Sequence, residues 1–266
     1  PHRRRTLSPW ARAPTRAVMV GASRRRRRPM SLLSALRARL HRYPSPNDAD
    51  AVRRMTSEQW RTIAQRTPTY LEGYVDRPGS QDRAQRRAEW IADQVAASDA
   101  DSVLELGCGC GRNLAAIRRR AEAQEVRHPM LMGLDICPEA IGAAKDAVPL
   151  VLCCDVLAVA LPRADVILTC GFLGHVPPAD LPGLLHRMLS AAQRRIMMVE
   201  EPGPDSLSKG PRAWGAAKDT GPYALWLHDF DRVLAALGRQ AAHIELPDDL
   251  RAPAATEMLV VETSHA

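Results

Sequence analysis

Three alternating glycines follow a short apolar run that carries one acid. Glu105 lies two residues before Gly107, and Gly109 and Gly111 follow at every second position. Glycine adopts backbone conformations closed to other residues and lets a ligand approach the main chain. A helix beginning near Arg112 would direct its free N–H groups and the positive end of its dipole at the same point. The pattern predicts a nucleotide or anion cradle at the carboxyl end of a parallel strand.

The spacing of these glycines separates several kinds of cradle. The dinucleotide fingerprint Gly-x-Gly-x-x-Gly needs a third glycine where this chain has Arg112, and the Gly-Lys-Ser/Thr of a P-loop does not follow. The remaining pattern, Glu-x-Gly-x-Gly-x-Gly, resembles the first motif of class I S-adenosylmethionine-dependent methyltransferases. A tight strand-to-helix turn that binds no ligand is the alternative for this segment alone.

A second acid follows the next apolar run, Leu131 to Ile136. Asp135 lies 24 residues past Gly111, close to the roughly 20-residue offset at which an acid meets a ribose in nucleotide-binding α/β units. The neighbouring Ile136 can lie flat against an adenine. Pro138 suits the first position of the helix that we expect to follow.

Two further apolar runs end in small or acidic residues. Leu150 to Cys154 leads into Asp155 and Val156, and Asp165 to Cys170 leads into Gly171. In the family that the chain resembles, the turn after the third strand holds the adenine amino group. The resemblance therefore implies an S-adenosyl-L-methionine site formed by Glu105, Gly107, Cys108, Gly109, Gly111, Asn113, Asp135, Ile136, Asp155, Val156, Cys170 and Gly171.

Two histidines are candidates for proton transfer. His175 follows the fourth predicted strand, on the side where an acceptor should sit, and similar methyltransferases use a histidine there either as a base or to support the next helix. His228 is the second candidate, although its neighbour Asp229 would not face it on a helix. Glu200 and Glu201 end the fifth strand, where they could bind a substrate hydroxyl or amine or could be ordinary solvated residues.

The order of elements predicts an α/β fold with a doubly wound, seven-stranded, mostly parallel sheet whose last strand is antiparallel, preceded by an N-terminal helical cap. Residues 1–46 are expected to form a basic, disordered extension, 47–98 the cap and 99–266 the Rossmann-like methyltransferase domain. Within the cap, Ser57 to Trp60 is expected to open one helix, and Gln81 to Ala97 has one apolar face.

After the fourth strand we expect a helix over Pro177–Gln193 and a fifth strand over Ile196–Glu200. The terminal strands Ala242–Leu246 and Met258–Glu262 are joined so closely that we expect them to be antiparallel.

Several aromatic side chains are candidates to line the acceptor site. The segment from Pro202 to Phe230 is rich in Pro, Gly and Ser and is long for a connection, so we expect a mobile substrate lid there. A variable surface loop is the alternative. The candidate substrate-binding residues are Tyr70 and Tyr74 in the cap and Trp214, Tyr223 and Trp226 in the lid.

The positive charge of the chain is confined to one end. The 266 residues carry a net charge of +7, but residues 1–46 contain 13 Arg, no Lys and no acid. The remainder has 24 basic and 30 acidic residues, a net charge of −6. The basic segment could be a solvated extension, upstream sequence, a targeting segment or an arm that contacts polyanions. The acidic core argues against nucleic acid as its substrate.

The six cysteines show neither a disulfide framework nor a metal motif, because no Cys-x-x-Cys occurs. We expect no metal, and reduced thiols fit a cytoplasmic protein. Thiol-linked chemistry such as arsenic methylation is a lesser alternative. The sequence contains no run of 18 apolar residues, so we expect no membrane span.

The resemblance implies methyl transfer to a hydroxyl, amine or carboxylate of a small metabolite. The stretches Gly171–Val176 and Trp226–Phe230 resemble methyltransferases of sugar and natural-product pathways. The Asn/Asp-Pro-Pro-aromatic motif of adenine methyltransferases is absent after the fourth strand, where the chain reads Thr169-Cys170-Gly171-Phe172. Two alternatives remain: a catalytically silent methyltransferase-like binding module, and a nucleotide-linked α/β enzyme of another class, such as a dehydrogenase.

Overall fold

A computed structural model describes Arg54, Glu58, Trp60, Arg61 and residues 80–124, 127–203, 207–208, 226–252 and 255–263. The basic segment and most of the predicted cap lie outside these residues. The described helices are α1 (Ser80–Ala96), α2 (Arg112–Ala123), α3 (Pro138–Ala147), α4 (Leu181–Ala191) and α5 (Phe230–Ala236). The strands are β1 (Ser102–Leu106), β2 (Met130–Asp135), β3 (Leu150–Cys153), β4 (Ala164–Cys170), β5 (Ala192–Glu200), β6 (Leu207–Ser208), β7 (Trp226–Leu227), β8 (Ala242–Glu245) and β9 (Glu257–Glu262).

Seven of these strands form one sheet in the order β3-β2-β1-β4-β5-β9-β8. The first five strands are parallel, and β9 runs antiparallel between β5 and β8. The prediction of a mostly parallel sheet with an antiparallel last strand is confirmed. The strand order reverses between β1 and β4, the place where open α/β sheets leave a crevice for a ligand.

Apolar side chains cover both faces of the sheet. One face packs against α1 and α2, and the apolar face predicted for the Gln81–Ala97 helix is buried there. The opposite face packs against α4 and α5. Helix α1 therefore shares one core with the sheet. The buried residues of its apolar face are Ala84, Ala88, Ile91 and Val95.

The fifth strand begins earlier than its sequence suggests. It starts at Ala192, directly after α4, whereas the apolar pattern placed its start at Ile196. The polar residues Gln193 to Arg195 obscure the pattern, and pairing with β4 supplies the extended conformation, beginning at Ala164 opposite Ala192. The preceding helix is correspondingly shorter than the predicted Pro177–Gln193, spanning Leu181 to Ala191.

No helix connects β3 to β4. The opposite face of the sheet is therefore incompletely covered at this edge, where Leu150 is 51% and Leu152 is 62% exposed. Beyond β5 the chain turns through Pro202, and the short strands β6 and β7 pair with each other. These features leave the carboxyl ends of β1, β2, β4 and β5 as the positions at which a site can form.

Candidate active site

The glycine loop after β1 has the backbone that its composition predicts. Gly107, Gly109 and Gly111 have φ angles of 69°, 52° and 76°, in the left-handed region that favours glycine. A Cβ on Gly107 would lie 2.7 Å from Cγ of Phe172, whereas a Cβ on Gly109 would meet no atom of the described residues within 4 Å. Gly109 therefore faces open space, and Gly111 directly precedes α2.

Cys108 contributes to the core beneath this loop. It is 6% exposed, and its Sγ packs against Gly133 of β2 so closely that a Cβ there would lie 2.7 Å from the sulfur. Burial raises the pKa of the Cys108 thiol well above its ordinary value, so the thiol stays protonated. The Cys108 side chain therefore packs in the core, and the predicted contact of Cys108 with a cofactor stays a prediction.

Glu105 and Asn113 form a buried pair below the loop. Nδ2 of Asn113 donates to Oε1 of Glu105 at 2.6 Å, and Glu105 is 1% exposed. Burial raises the pKa of Glu105 to about 8, the bond from Asn113 lowers it and the charge of Asp135 raises it further. Within the described part of the chain, Oε2 of Glu105 has no hydrogen-bond partner. An acid with an unused oxygen beneath an open loop suits a ligand that brings a donor or a positive charge.

Asp135 joins the glycine loop to the turn after β2. Its Oδ2 accepts the N–H of Gly109 and its Oδ1 accepts the N–H of Cys137, both at 2.8 Å. Burial raises the pKa of Asp135, and the backbone N–H donors oppose that shift. A carboxylate has about four lone-pair positions, so these bonds leave Asp135 with acceptor capacity for a further donor. Ile136 is half-buried beside it.

The turn after β3 is held by its own acid. Oδ1 of Asp155 accepts the N–H of Leu157 at 2.8 Å. Val156, the next residue, is 5% exposed and packs in the core on the α4 face of the sheet. Little of its side chain is accessible, and the predicted contact of Val156 with a cofactor stays a prediction.

Cys170 is the last residue of β4, which lies between β1 and β5, and Gly171 follows it. Gly171 has a φ of 63°, and its N–H donates to the carbonyl of Val199 at 2.9 Å. Burial raises the pKa of the Cys170 thiol, and the guanidinium of Arg87, which hydrogen-bonds to it, acts in the opposite direction. Arg87 also donates to the carbonyl of Leu250 at 3.1 Å. Helix α1 thus brings a cation to the end of β4, which its apolar pattern did not indicate.

His175 ends a short 3₁₀ turn, Leu173–His175, and is half-buried. The ring of Trp60 lies edge-on to the His175 imidazole, with centroids 5.1 Å apart and an interplanar angle of 88°. The carbonyl of Trp60 also accepts a weak bond from the Cys137 thiol at 3.9 Å. Trp60 thus contacts residues that follow both β2 and β4. Its sequence context indicated a helix start and gave no sign of this position.

His228 is not placed to act as a base toward a substrate. It is 0% exposed, and its Nε2 lies 3.0 Å from the carbonyl oxygen of Leu173 and 3.2 Å from that of Val176. Because carbonyls only accept, Nε2 carries the proton and donates to both. Burial lowers the pKa of His228, so the ring is neutral. The proposed catalytic role of His228 is therefore corrected to a hydrogen-bonding role.

Glu200 is also buried, at 1% exposure. Its Oε1 accepts the N–H groups of Phe172 and Leu173, each at 3.1 Å. Burial raises its pKa to about 7, and these bonds oppose the shift. The interpretation of Glu200 as an ordinary solvated strand end is therefore wrong.

The predicted aromatic lining is described only in part. Trp226 is 2% exposed, and β7 pairs it with Ser208 of β6, so it is a buried residue at the base of the predicted lid. The other candidates, Tyr70, Tyr74, Trp214 and Tyr223, lie outside the described residues, as does most of the lid itself.

A family model described as a methyltransferase domain matches residues 25–244. This match spans most of the chain. The chain belongs to this methyltransferase family. It is therefore an S-adenosylmethionine-dependent methyltransferase, which confirms the enzyme class and cofactor that the first motif indicated. No curated protein matches the methyltransferase significantly.

Solved structures share its fold at low sequence identity. Magnesium protoporphyrin IX methyltransferase from Synechocystis PCC 6803 with bound SAH is 16% identical, with a TM-score of 0.56 over 80% of this chain and 100% of that one. Burkholderia thailandensis 1,6-didemethyltoxoflavin-N1-methyltransferase, with 1,6-didemethyltoxoflavin and S-adenosylhomocysteine bound, is 19% identical, with a TM-score of 0.53 over 84% and 92%. Streptomyces venezuelae DesVI is 12% identical, with a TM-score of 0.51 over 69% and 93%.

The described residues also bear on membrane spans, metal sites and disulfides. None of the described helices is long and apolar enough to cross a membrane. Among the described residues, no three His, Cys, Asp or Glu side chains are grouped so that they could hold a metal ion. The six cysteines are free thiols.

Proposed function

We propose that this methyltransferase transfers the methyl group of S-adenosylmethionine to a hydroxyl, amine or carboxylate of a small metabolite, with the acceptor held beside the Trp60–His175 pair. When bound, the cofactor supplies an electrophilic methyl group, and the protein mainly aligns the acceptor and excludes water. The observation that carries the proposal is the bond between Asp135 and Gly109, because it places a carboxylate and an open glycine loop side by side.

Asp135 and the glycine loop are the proposed cofactor cradle. The carboxylate of Asp135 suits the hydroxyls of a ribose, and the space at Gly109 admits a ligand close to the main chain. Glu105, with one unpaired oxygen, is placed beneath the same loop. Ile136 is the proposed contact for the adenine face, and Asp155 that for its amino group.

His175 is the proposed residue that takes a proton from the acceptor. An oxygen nucleophile usually needs a base to become reactive, whereas many nitrogen nucleophiles do not. His175 follows the end of β4, at the same carboxyl edge of the sheet as Asp135. Trp60 is proposed to cover the acceptor, because it contacts both His175 and the turn after Asp135.

Calorimetry and turnover test the two parts of this proposal separately. We expect S-adenosylhomocysteine to bind and NAD not to bind, and binding of NAD alone would overturn the cofactor site. Radiolabelled methyl transfer to a panel of metabolite-sized phenols, sugars, amines and carboxylic acids tests the acceptor class. Cofactor binding without transfer to any member would contradict that class and would favour the silent binding module.

A further inference from the structure

The turn that carries His175 has little internal support. Residues Phe172 to Val176 form one short 3₁₀ turn with two backbone bonds, from His175 N–H to Phe172 O at 2.9 Å and from Val176 N–H to Leu173 O at 3.0 Å. No side chain within the turn caps it. So short a turn depends on surrounding groups for a fixed geometry.

Two buried side chains from outside the turn supply that support. Glu200, at the end of β5, accepts the N–H groups at the start of the turn, and His228 donates to carbonyls at its middle and end. Leu173 is therefore held at both its N–H and its C=O. The pairing of Pro202 with His228, and the bond from Gly203 N–H to His228 O at 2.9 Å, keep the two buried groups close in space.

We infer that Glu200 and His228 are positioning residues that hold the Phe172–Val176 turn, and with it the His175 imidazole, in the orientation needed for methyl transfer. The inference rests on the proposed function only through the role of His175. Its physical basis is the cost of burying polar groups: an acid and an imidazole that are 1% and 0% exposed are unfavourable in a core unless they form hydrogen bonds there. Both are used here on the same turn.

The protonation states agree with this arrangement. Burial raises the pKa of Glu200 to about 7, so both its neutral and its ionised form are populated near neutral pH, and burial lowers the pKa of His228, so the imidazole is neutral. A neutral imidazole has one N–H, and the two carbonyls share it. The other ring nitrogen, Nδ1 of His228, is buried without a hydrogen-bond partner in the described part of the chain. The ring orientation is thus set by the turn.

Four variants of the full-length enzyme separate positioning from simple stabilisation. In Glu200→Leu and His228→Leu the hydrogen bonds are lost, whereas Glu200→Gln retains an acceptor oxygen and His228→Gln retains an N–H donor. We expect the Leu variants to lose about tenfold or more in kcat on any acceptor that the panel identifies, with unchanged affinity for S-adenosylhomocysteine. The Gln variants should recover most of kcat.

An acceptor-independent readout accompanies turnover. In protein with carbon-13-labelled histidine, the His175 ring signal should change its titration midpoint in both Leu variants, and the amide of Leu173 should exchange with solvent faster. His186→Gln, on the exposed face of α4, is the control and should change neither. A positioning role also predicts that His228→Leu adds no further loss of kcat in a His175→Ala background.

The outcomes distinguish the two proposals. If the His175 signal and the Leu173 amide are the same in all variants, the positioning role is overturned, whatever the acceptor. If those signals change but no panel member is methylated by the unaltered enzyme, the proposed acceptor class fails and the positioning role stands. Should a Leu variant fail to fold, the Gln variant at the same position still gives the result: an altered His175 signal despite a retained hydrogen bond would contradict the inference.

Discussion

The edge of the Trp60 ring meets the His175 imidazole at a centroid distance of 5.1 Å. T-shaped aromatic pairs of this kind contribute about 0.5–1.5 kcal/mol beyond their burial. Here the pair joins the segment before α1 to the end of β4. A substitution at Trp60 should consequently act on the acceptor site more than on the folded core.

Trp60→Ala is expected to raise the acceptor KM and to lower kcat/KM about tenfold, because the residue covering the acceptor is lost. Steady-state kinetics measure this, with the melting temperature as a check on folding. Trp90→Ala is the matched control, since Trp90 is half-buried against the core on α1. That variant should lower the melting temperature and leave the acceptor KM unchanged, and the reverse pattern would contradict the role of Trp60.

Asp135→Ala should weaken the binding of S-adenosylhomocysteine by about 2–4 kcal/mol, since the ribose would lose charge-assisted bonds and the glycine loop would lose its bond at Gly109. Isothermal titration calorimetry measures the affinity. Asp165→Ala provides the control: this buried acid lies at the opposite end of the sheet, where it accepts the N–H of Asp101 at 2.7 Å. It should reduce stability with no change in affinity. Equal affinities for Asp135→Ala and the unaltered enzyme would remove Asp135 from the site.

Two glycines of one loop should respond differently to alanine. Gly107→Ala combines a positive φ with a collision against Phe172, so we expect a loss of stability of about 2–4 kcal/mol. Gly109→Ala has a positive φ but open space, so stability should fall by about 1–2 kcal/mol while cofactor affinity falls more strongly. Urea denaturation and calorimetry give both quantities.

Gly142→Ala, in α3, is the control for these glycine variants. A Cβ there meets nothing within 4 Å and φ is ordinary, so stability should rise by about 0.5–1 kcal/mol. An equal loss of cofactor affinity in Gly107→Ala and Gly109→Ala would show that the open space at Gly109 has no special part in binding.

The stability of the ligand-free protein should depend on the buried carboxyl of Glu105. Its pKa is raised from 4.5 to about 8. The folded chain thus holds this proton more tightly than the unfolded chain does, and the stabilisation is fully present below pH 4.5 and is lost as the pH rises through 8. From about pH 5.5 to 8.5, the free energy of unfolding of Glu105→Gln should improve relative to the unaltered protein by on the order of 2–3 kcal/mol.

Urea denaturation at several pH values measures this difference. The comparison with Glu105→Gln isolates one group, because His228 and His243 titrate in both proteins. His243 contacts Asp231 and Glu257, which raise its pKa, whereas burial lowers that of His228. Glu89→Gln, on the exposed side of α1, is the surface control. A constant stability difference across the pH range would mean that Glu105 is ionised in the folded protein.

Local patterns predicted most of the sheet and part of the site. Alternating glycines and the acids after β1 and β2 are sequence-local signals, so Glu105, Gly109 and Asp135 could be located before the fold was known. The N-terminal cap of α5 is also a local feature, because Asp229 accepts the N–H of Arg232, three residues later in the chain. The start of β5 was missed because pairing with β4 overrides a polar run.

Residues that act through long-range contacts could not be predicted in this way. Trp60 meets His175 across more than a hundred positions of sequence, and Arg87 reaches Cys170 from a helix whose pattern indicates only packing. An acid and a histidine suggest chemistry at an accessible site, but neighbouring elements bury Glu200 and His228. Cys108 and Val156 were assigned to the cofactor from their positions in motifs, and the sequence did not indicate that their side chains pack in the core.

The position of β9 between β5 and β8 has a consequence for synthesis of the chain. Met258, Leu259 and Val261 are fully buried, and β8 pairs with the sheet only through β9. A nascent chain that ends before residue 257 therefore leaves β5 as an unpaired edge beside uncovered apolar side chains, an arrangement that templates aggregation. Stop codons that end the chain between residues 240 and 257 should therefore produce inclusion bodies rather than a shortened enzyme.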